Sequence, residues 1–215
     1  MTVRRHVPFQ AFDPFSEVPV AHRRLPHWRQ SGVAYFITFR LADSLPQSLL
    51  RQWQEERAVW LRWHPLPWRP DEQREYEERF TDRMQEWLDA GMGACHMRRS
   101  DVRAEVERCL LHFDGDRYDI DAVVLMPNHV HAVIKPAHGY ELSKLLQGIK
   151  GVSGNWCNKL LGYKSPFWMD ESYDHIVRDA KELTAFRNYI AGNPAKASLR
   201  PDEYSLQLRT ALVAE

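Results

Sequence analysis

The sequence has little cysteine and no long apolar run. Its three cysteines, Cys95, Cys109 and Cys157, form no CxxC pair. This argues against a disulfide framework and against a zinc site built from cysteines, so we expect a reduced, cytoplasmic protein. No apolar run reaches about 18 residues, so no membrane-spanning helix is expected. Residues 1–20 also lack the apolar core of a signal peptide.

The sequence also lacks an excess of charge of either sign. Its 29 basic residues balance its 29 acidic residues, which leaves a net charge of zero with neutral histidines. A net charge of zero does not indicate nucleic-acid binding. A local patch of positive charge could still bind nucleic acid, but the composition does not show one. One basic stretch, with Arg23, Arg24 and Arg29 around Trp28, is either a solvated segment or a phosphate contact with an aromatic ring for stacking.

Hydrophobic periodicity divides the chain into strands and helices. Strands are predicted at 33–41, 117–126, 129–135 and about 173–177. Helices are predicted at 47–63, 71–90, 100–113 and 141–162, and the segment 180–199 is predicted to begin as a helix. The last helix should stop at Asn193, because Pro194 disfavours helical geometry in the residue before it. We expect a single domain, 1–215, with an N-terminal tail, 1–30, and a helical insertion, 47–113.

Two histidines stand out in the predicted hairpin. The stretch "MPNHVHAVI" places His129 and His131 at the start of the returning strand, separated by one valine. Alternate residues of a strand share a face, so the two imidazoles should lie side by side while Val130 points to the core. Such a pair can bind one metal ion, although it can also be structural.

A tyrosine and an asparagine lie four residues apart near the end of the last predicted helix. This spacing places Tyr189 and Asn193 on one side of the helix, where a hydroxyl and an amide oxygen could face one site. The alternative is a tyrosine of the core and an asparagine that ends the helix.

Three motifs in this order, "MPNHVHAVI", "WMDESYDHIVRD" and "YIAGNPAKASL", resemble those of the REP-associated tyrosine transposases. These enzymes belong to the single-tyrosine HUH transposases, which include the insertion-sequence transposases. The resemblance extends from "GVAYFITFRL" to about Leu199. It implies that Tyr189 is the nucleophile, that His129 and His131 are metal ligands, and that Asn193 is the third ligand, where insertion-sequence relatives generally carry glutamine.

The resemblance also implies a reaction and its partners. The family cuts single-stranded DNA with imperfect palindromic hairpins, forms a 5′-phosphotyrosine bond and uses Mg²⁺ or Mn²⁺. A short tetranucleotide guide lies at the foot of the hairpin stem. Residues expected to contact phosphate are those of the basic stretch, Arg23, Arg24 and Arg29, together with His175, Arg178, Arg187 and Lys196. For each of these cations, a solvated surface charge is the alternative.

The predicted elements favour an α+β fold, with a ferredoxin-like central antiparallel sheet and helices on one face. A monomer is favoured, in which Tyr189 reaches the histidines of its own chain, although a dimer that exchanges the tyrosine helix is possible. Two other functions stay open: a domesticated protein that binds hairpin DNA without cutting it, and an unrelated HxH metal hydrolase. The latter usually needs further ligands, and the sequence has no second HxH.

Overall fold

A five-stranded antiparallel sheet forms the centre of the fold. The computed structural model describes residues 6–13, 20–22, 26–28, 30–65 and 68–213. The strands are β1 (Val7–Pro8), β2 (Val20–His22), β3 (Pro26–Trp28), β4 (Tyr35–Arg40), β5 (Tyr118–Leu125), β6 (His129–Pro136), β7 (Tyr173–Ile176), β8 (Ser205–Leu208) and β9 (Leu212–Val213). The central sheet has the order β7-β4-β6-β5-β8, and every neighbouring pair in it is antiparallel.

The described part of the chain also forms six α-helices, and the predicted α+β class is confirmed. They are α1 (Gln47–Trp63), α2 (Pro70–Tyr76), α3 (Arg83–Asp89), α4 (Ser100–Leu111), α5 (Leu142–Leu161) and α6 (Ala180–Lys196). The helix predicted at 71–90 is interrupted, because a π-helical segment, Glu77–Asp82, joins α2 to α3. Such wide turns accommodate an extra residue without ending the helix.

The helices cover both faces of the sheet, not one face as the sequence suggested. On the first face, Ile37, Val130 and Ile134 pack with the apolar sides of α4 and α5. On the second face, Phe36 and Val133 pack with residues of α6. The sheet lies between two helical layers because its strands are apolar on both sides, so each face must be covered.

The inserted helices α1 to α3 have a small core of their own. Trp60, Tyr76 and Phe80 are buried together there, with Trp53 and Trp68 packed around them. The tryptophans of this charged segment therefore supply its apolar side. Helix α3 ends at the second face of the sheet, where its side chains meet those of β4 and β6.

Helix α6 continues past the proline that was expected to end it, so the prediction of a stop at Asn193 was wrong. Pro194 lies inside the helix, and both residues are buried. The proline removes only its own backbone donor, and its carbonyl still accepts a hydrogen bond from the amide of Leu199 at 2.9 Å. Burial of this turn against the sheet offsets the lost bond.

The first and last described strands pair with each other. Strand β1 pairs in parallel with β9, and the Lys135 ammonium donates to the Pro8 carbonyl oxygen at 2.6 Å.

All three cysteines are buried free thiols. Among the described helices, none combines the length and the apolar character that crossing a membrane demands.

Candidate active site

The two histidines of β6 form a buried pair on the second face of the sheet. His129 and His131 are both 0% exposed, and their ring centroids lie 4.5 Å apart. Val130 between them packs in the core of the first face, as the strand period predicts. The imidazoles therefore stand side by side, with α6 and α3 as their neighbours above the sheet.

The proton of the His129 imidazole is fixed by the residue before it. Its Nδ1 lies 2.7 Å from Asn128 Oδ1. The Asn128 amide cannot be reversed without loss, because its Nδ2 donates to the carbonyl oxygens of Leu88 at 3.2 Å and Met92 at 3.0 Å. Oδ1 must therefore accept, so Nδ1 of His129 carries the proton and Nε2 presents a lone pair.

The second histidine is oriented from the neighbouring strand. Nδ1 of His131 lies 2.7 Å from the hydroxyl oxygen of Thr38, which pairs with it in the register of β4 and β6. The Gln85 amide of α3 donates to the same hydroxyl at 3.4 Å. Both imidazoles are thus held at Nδ1, which leaves their Nε2 atoms to point above the sheet.

Burial keeps both histidines neutral. It lowers the pKa of His129 to about 3 and the pKa of His131 well below its ordinary value, to which the nearby His129 and Lys196 also contribute. Neither Nε2 atom has a hydrogen-bond partner among the described residues. Two buried neutral imidazoles with free Nε2 atoms are suitable ligands for a divalent metal ion.

A carboxylate that sequence reasoning missed joins the pair. Asp89, at the end of α3, lies 3.9 Å from His129 Nε2 through its Oδ1. Ligand atoms of Asp89, His129 and His131 all lie within 4.8 Å of one another. No motif marks Asp89 in the sequence. It lies in the helical insertion, which was predicted without a role at the site.

The tyrosine of α6 lies directly against one histidine of the pair, His131 of its own chain. The Tyr189 ring meets the His131 ring edge to face, with 5.2 Å between centroids, and meets Phe36 in the same way at 5.8 Å. Its hydroxyl oxygen is buried and has no hydrogen-bond partner in the described part of the chain. Burial and the charge of Asp89 raise its pKa well above the ordinary value.

Asn193 lies one turn after Tyr189, as its spacing predicts. It is 1% exposed, and neither atom of its amide group has a hydrogen-bond partner within the described ranges. Its nearness opposes part of the rise in the pKa of Tyr189, although the two groups form no complete hydrogen bond. A buried amide without partners is costly, which is typical of a group that meets a ligand.

These donors fit a divalent cation. Two imidazole nitrogens and one carboxylate oxygen form a mixed nitrogen and oxygen set, which suits Mn²⁺ better than Mg²⁺. The unpartnered Nε2 atoms are the observation that supports this fit. Lys196 contacts the other carboxylate oxygen of Asp89 at 2.8 Å, so a lysine balances part of the negative charge.

The predicted phosphate contacts have different surroundings. Lys196 pairs with Asp89, His175 Nε2 lies 2.9 Å from Glu182, and Arg187 forms two bonds of 2.7 and 2.6 Å to the buried Asp121. Arg178 remains exposed, and its guanidinium lies 4.0 Å from the carboxylate of Glu77, the first residue of the π-helical segment. Arg23, Arg24 and Arg29 lie outside the described residues.

Comparison with known proteins agrees with the motifs. Residues 99–193 match the family described as "Transposase IS200 like". A solved structure of a REP-associated tyrosine transposase bound to a REP hairpin is 19% identical, with a TM-score of 0.42, and the match covers 80% of this chain and 74% of that chain. No curated protein sequence gives a significant match. The chain is thus similar to the IS200-like transposases over the segment that carries His129, His131, Tyr189 and Asn193.

Proposed function

We propose that the chain is a metal-dependent single-stranded DNA endonuclease and strand transferase, which cuts hairpin DNA through a 5′-phosphotyrosine intermediate. The observation that carries this proposal is the contact of Tyr189 with His131, one of the two paired histidines. Tyr189 and His131 lie 5.2 Å apart between ring centroids, in one chain and on one sheet face. The family match over residues 99–193 supports DNA as the substrate. The motifs shared with REP-associated transposases support hairpins.

The metal would be held by Nε2 of His129, Nε2 of His131 and the carboxylate of Asp89. The amide oxygen of Asn193 remains a proposed further ligand. A divalent cation bound there supplies positive charge, which polarises the scissile phosphate and favours the phenolate form of the tyrosine. The hydrogen bonds at Nδ1 of both imidazoles position these ligands before the metal arrives.

Tyr189 would act as the nucleophile. Its phenolic oxygen forms a bond to phosphorus while the bond from phosphorus to the 3′ oxygen breaks. The 5′ end is then joined to Tyr189, and the proton lost by the phenol balances the one gained by the new 3′-hydroxyl. The covalent bond retains the energy of the phosphodiester, so attack by a 3′-hydroxyl can rejoin DNA without ATP.

The cis arrangement supports a monomer. Tyr189 already contacts His131 and Phe36 of its own chain, so no exchange of α6 between subunits is needed to complete the site. The link between α6 and α3 through Lys196 and Asp89 also holds the tyrosine helix in place. Sedimentation of the chain alone and with a DNA hairpin tests this, since a stable dimer in both conditions would contradict it.

Strand-specific labelling tests the reaction. The chain is incubated with Mn²⁺ and palindromic hairpins that carry single-stranded flanks and a label at either the 5′ or the 3′ end. We expect only the 3′-labelled strand to migrate with the protein in a denaturing gel, because Tyr189 joins the 5′ end of the downstream fragment. Binding without an adduct would indicate a domesticated DNA-binding protein. Cleavage without an adduct would indicate a hydrolase.

A further inference from the structure

A cavity of about 490 Å³ lies beside the histidine pair, between the inserted helices and the sheet. Its floor is formed by Thr38 and Arg40, which pair in register with His131 and His129 of the neighbouring strand. Both therefore lie on the sheet face that carries the imidazoles. The cavity also lies near the tyrosine, because the Phe36 ring contacts both Tyr189 and Tyr173, and Tyr173 lines the cavity.

Aromatic and aliphatic side chains form half of the lining of the cavity, and polar or charged side chains form the other half. Trp53, Tyr76 and Phe80 come from the inserted helices, and Tyr173 comes from the edge strand β7. The volume is in the range of sites that enclose a small organic ligand. Aromatic walls favour a flat π-system, and the unpaired bases of single-stranded DNA are commonly bound by stacking on such rings.

Four of the lining residues are buried and polar, Thr38, Arg40, Arg57 and Gln85, and two of them supply the groups considered for a ligand. Gln85 is 9% exposed, and its Oε1 has no hydrogen-bond partner among the described residues, although its Nε2 donates to Thr38. Arg40 is 8% exposed and donates to the Ser44 hydroxyl at 2.9 Å. An acceptor and a guanidinium donor together match the edge of a base that carries both an amino group and a ring or carbonyl acceptor.

We propose that this cavity binds one unpaired base of the DNA strand, next to the nucleotide that Tyr189 attacks. The base would stack on the aromatic walls and donate from an amino group to Gln85 Oε1. Most of its lining comes from residues of α1 to α3, which precede the segment 99–193 that matches the IS200-like family. It rests on the proposed function, and it gives the helices α1 to α3 a role in substrate selection.

The test uses DNA binding in EDTA, so that neither cleavage nor the metal contributes. The probe is a pool of fluorescent hairpins with random single-stranded flanks, from which bound molecules are sequenced. Gln85→Leu removes the acceptor and keeps the size, and Met84→Trp fills the cavity. The matched control, Gln52→Leu, makes the same change on an exposed position of α1. Melting temperatures show which variants fold.

We expect the intact chain to prefer an amino-bearing base at one flank position. The preference should vanish in Gln85→Leu and Met84→Trp and persist in Gln52→Leu. An abasic site at that position should weaken binding by the intact chain about tenfold, and should not weaken binding by Met84→Trp further. A preference that survives in both folded cavity variants, or an intact chain with no such position, overturns the proposal.

Failure of this inference can be told apart from failure of the proposed function. If the tyrosine adduct forms but the cavity variants leave the sequence preference unchanged, only the base site is wrong. If the base dependence is found but no adduct ever forms, the cavity proposal stands and the cleavage proposal fails. If the intact chain binds no hairpin of the pool, both are wrong.

Discussion

Replacement of Tyr189 by phenylalanine should stabilise the protein while it removes the activity. The change deletes one oxygen and keeps the ring, so the edge contacts with Phe36 and His131 remain. The deleted oxygen is buried and has no hydrogen-bond partner among the described residues. In the folded state of the parent this hydroxyl is removed from water and gains no hydrogen bond in return. Its deletion therefore removes a cost from the folded state.

The magnitude follows from the environment of that oxygen. A buried polar group without a partner costs about 1–3 kcal/mol. The ring itself is only partly buried, which places the gain near the lower limit. We therefore expect the free energy of unfolding to rise by about 1 kcal/mol, with a melting temperature about 2–4 °C higher for a chain of this size.

A second buried tyrosine provides the matched control. The Tyr118 hydroxyl donates to the Leu110 carbonyl oxygen at 2.6 Å. Tyr118→Phe should lower the free energy of unfolding by about 1 kcal/mol or more, because a made bond is lost. Denaturation in urea measures both variants, and the strand-specific gel measures the adduct, which only Tyr189→Phe should abolish.

Two results would refute this reasoning. If Tyr189→Phe is less stable than the intact chain by as much as Tyr118→Phe, its hydroxyl has a partner in the folded protein. If Tyr189→Phe still forms the covalent adduct, the nucleophile is another residue. Tyr173 of β7, which packs on the same face beside Phe36, would be examined next.

The other predictions concern the metal and the cations. His129→Ala should abolish cleavage. Excess Mn²⁺ should restore cleavage to the intact chain treated with EDTA but not to this variant. Full activity of the intact chain in EDTA would contradict a metal role. Asp89→Asn and Asn193→Ala should each raise the Mn²⁺ concentration for half-maximal cleavage about tenfold if both residues bind the metal. A residue whose replacement leaves that concentration unchanged is not a ligand. Arg187→Ala should lower the free energy of unfolding by about 3–5 kcal/mol, because it leaves the buried carboxylate of Asp121 unpaired. Arg178→Ala, at an exposed position, should weaken DNA binding and leave stability unchanged. An Arg187→Ala chain as stable as the parent would refute the structural role.

The sequence predicted the sheet face of the histidines well, because that prediction depends on local rules. A short link between two strands enforces a hairpin, and the strand period then places His129 and His131 together. The helical period similarly places Tyr189 and Asn193 on one side. These relations involve residues close in sequence, so no knowledge of long-range packing is needed.

What the sequence could not predict depends on distant contacts. Asp89 reaches His129 only because α3 packs over the second face, and a charged helix carries no mark of this. Arg187 resembles a free surface cation until its pairing with Asp121 is seen. The edge strand β8, Ser205–Leu208, lies beyond the last predicted element and gains its structure from pairing with β5. Each miss involves a partner far away in the chain.

The hydrogen bonds of Asn128 have a consequence for attempts to shorten the chain. Its amide nitrogen is held by the carbonyl oxygens of Leu88 in α3 and Met92 in the loop after α3, both of which belong to the insertion. In a minimised protein without that segment, the amide could rotate and offer its NH₂ group to His129. The imidazole proton would then move to Nε2 and block the lone pair. The insertion therefore cannot be deleted without affecting His129, and a shortened chain needs new hydrogen-bond acceptors for the amide nitrogen of Asn128.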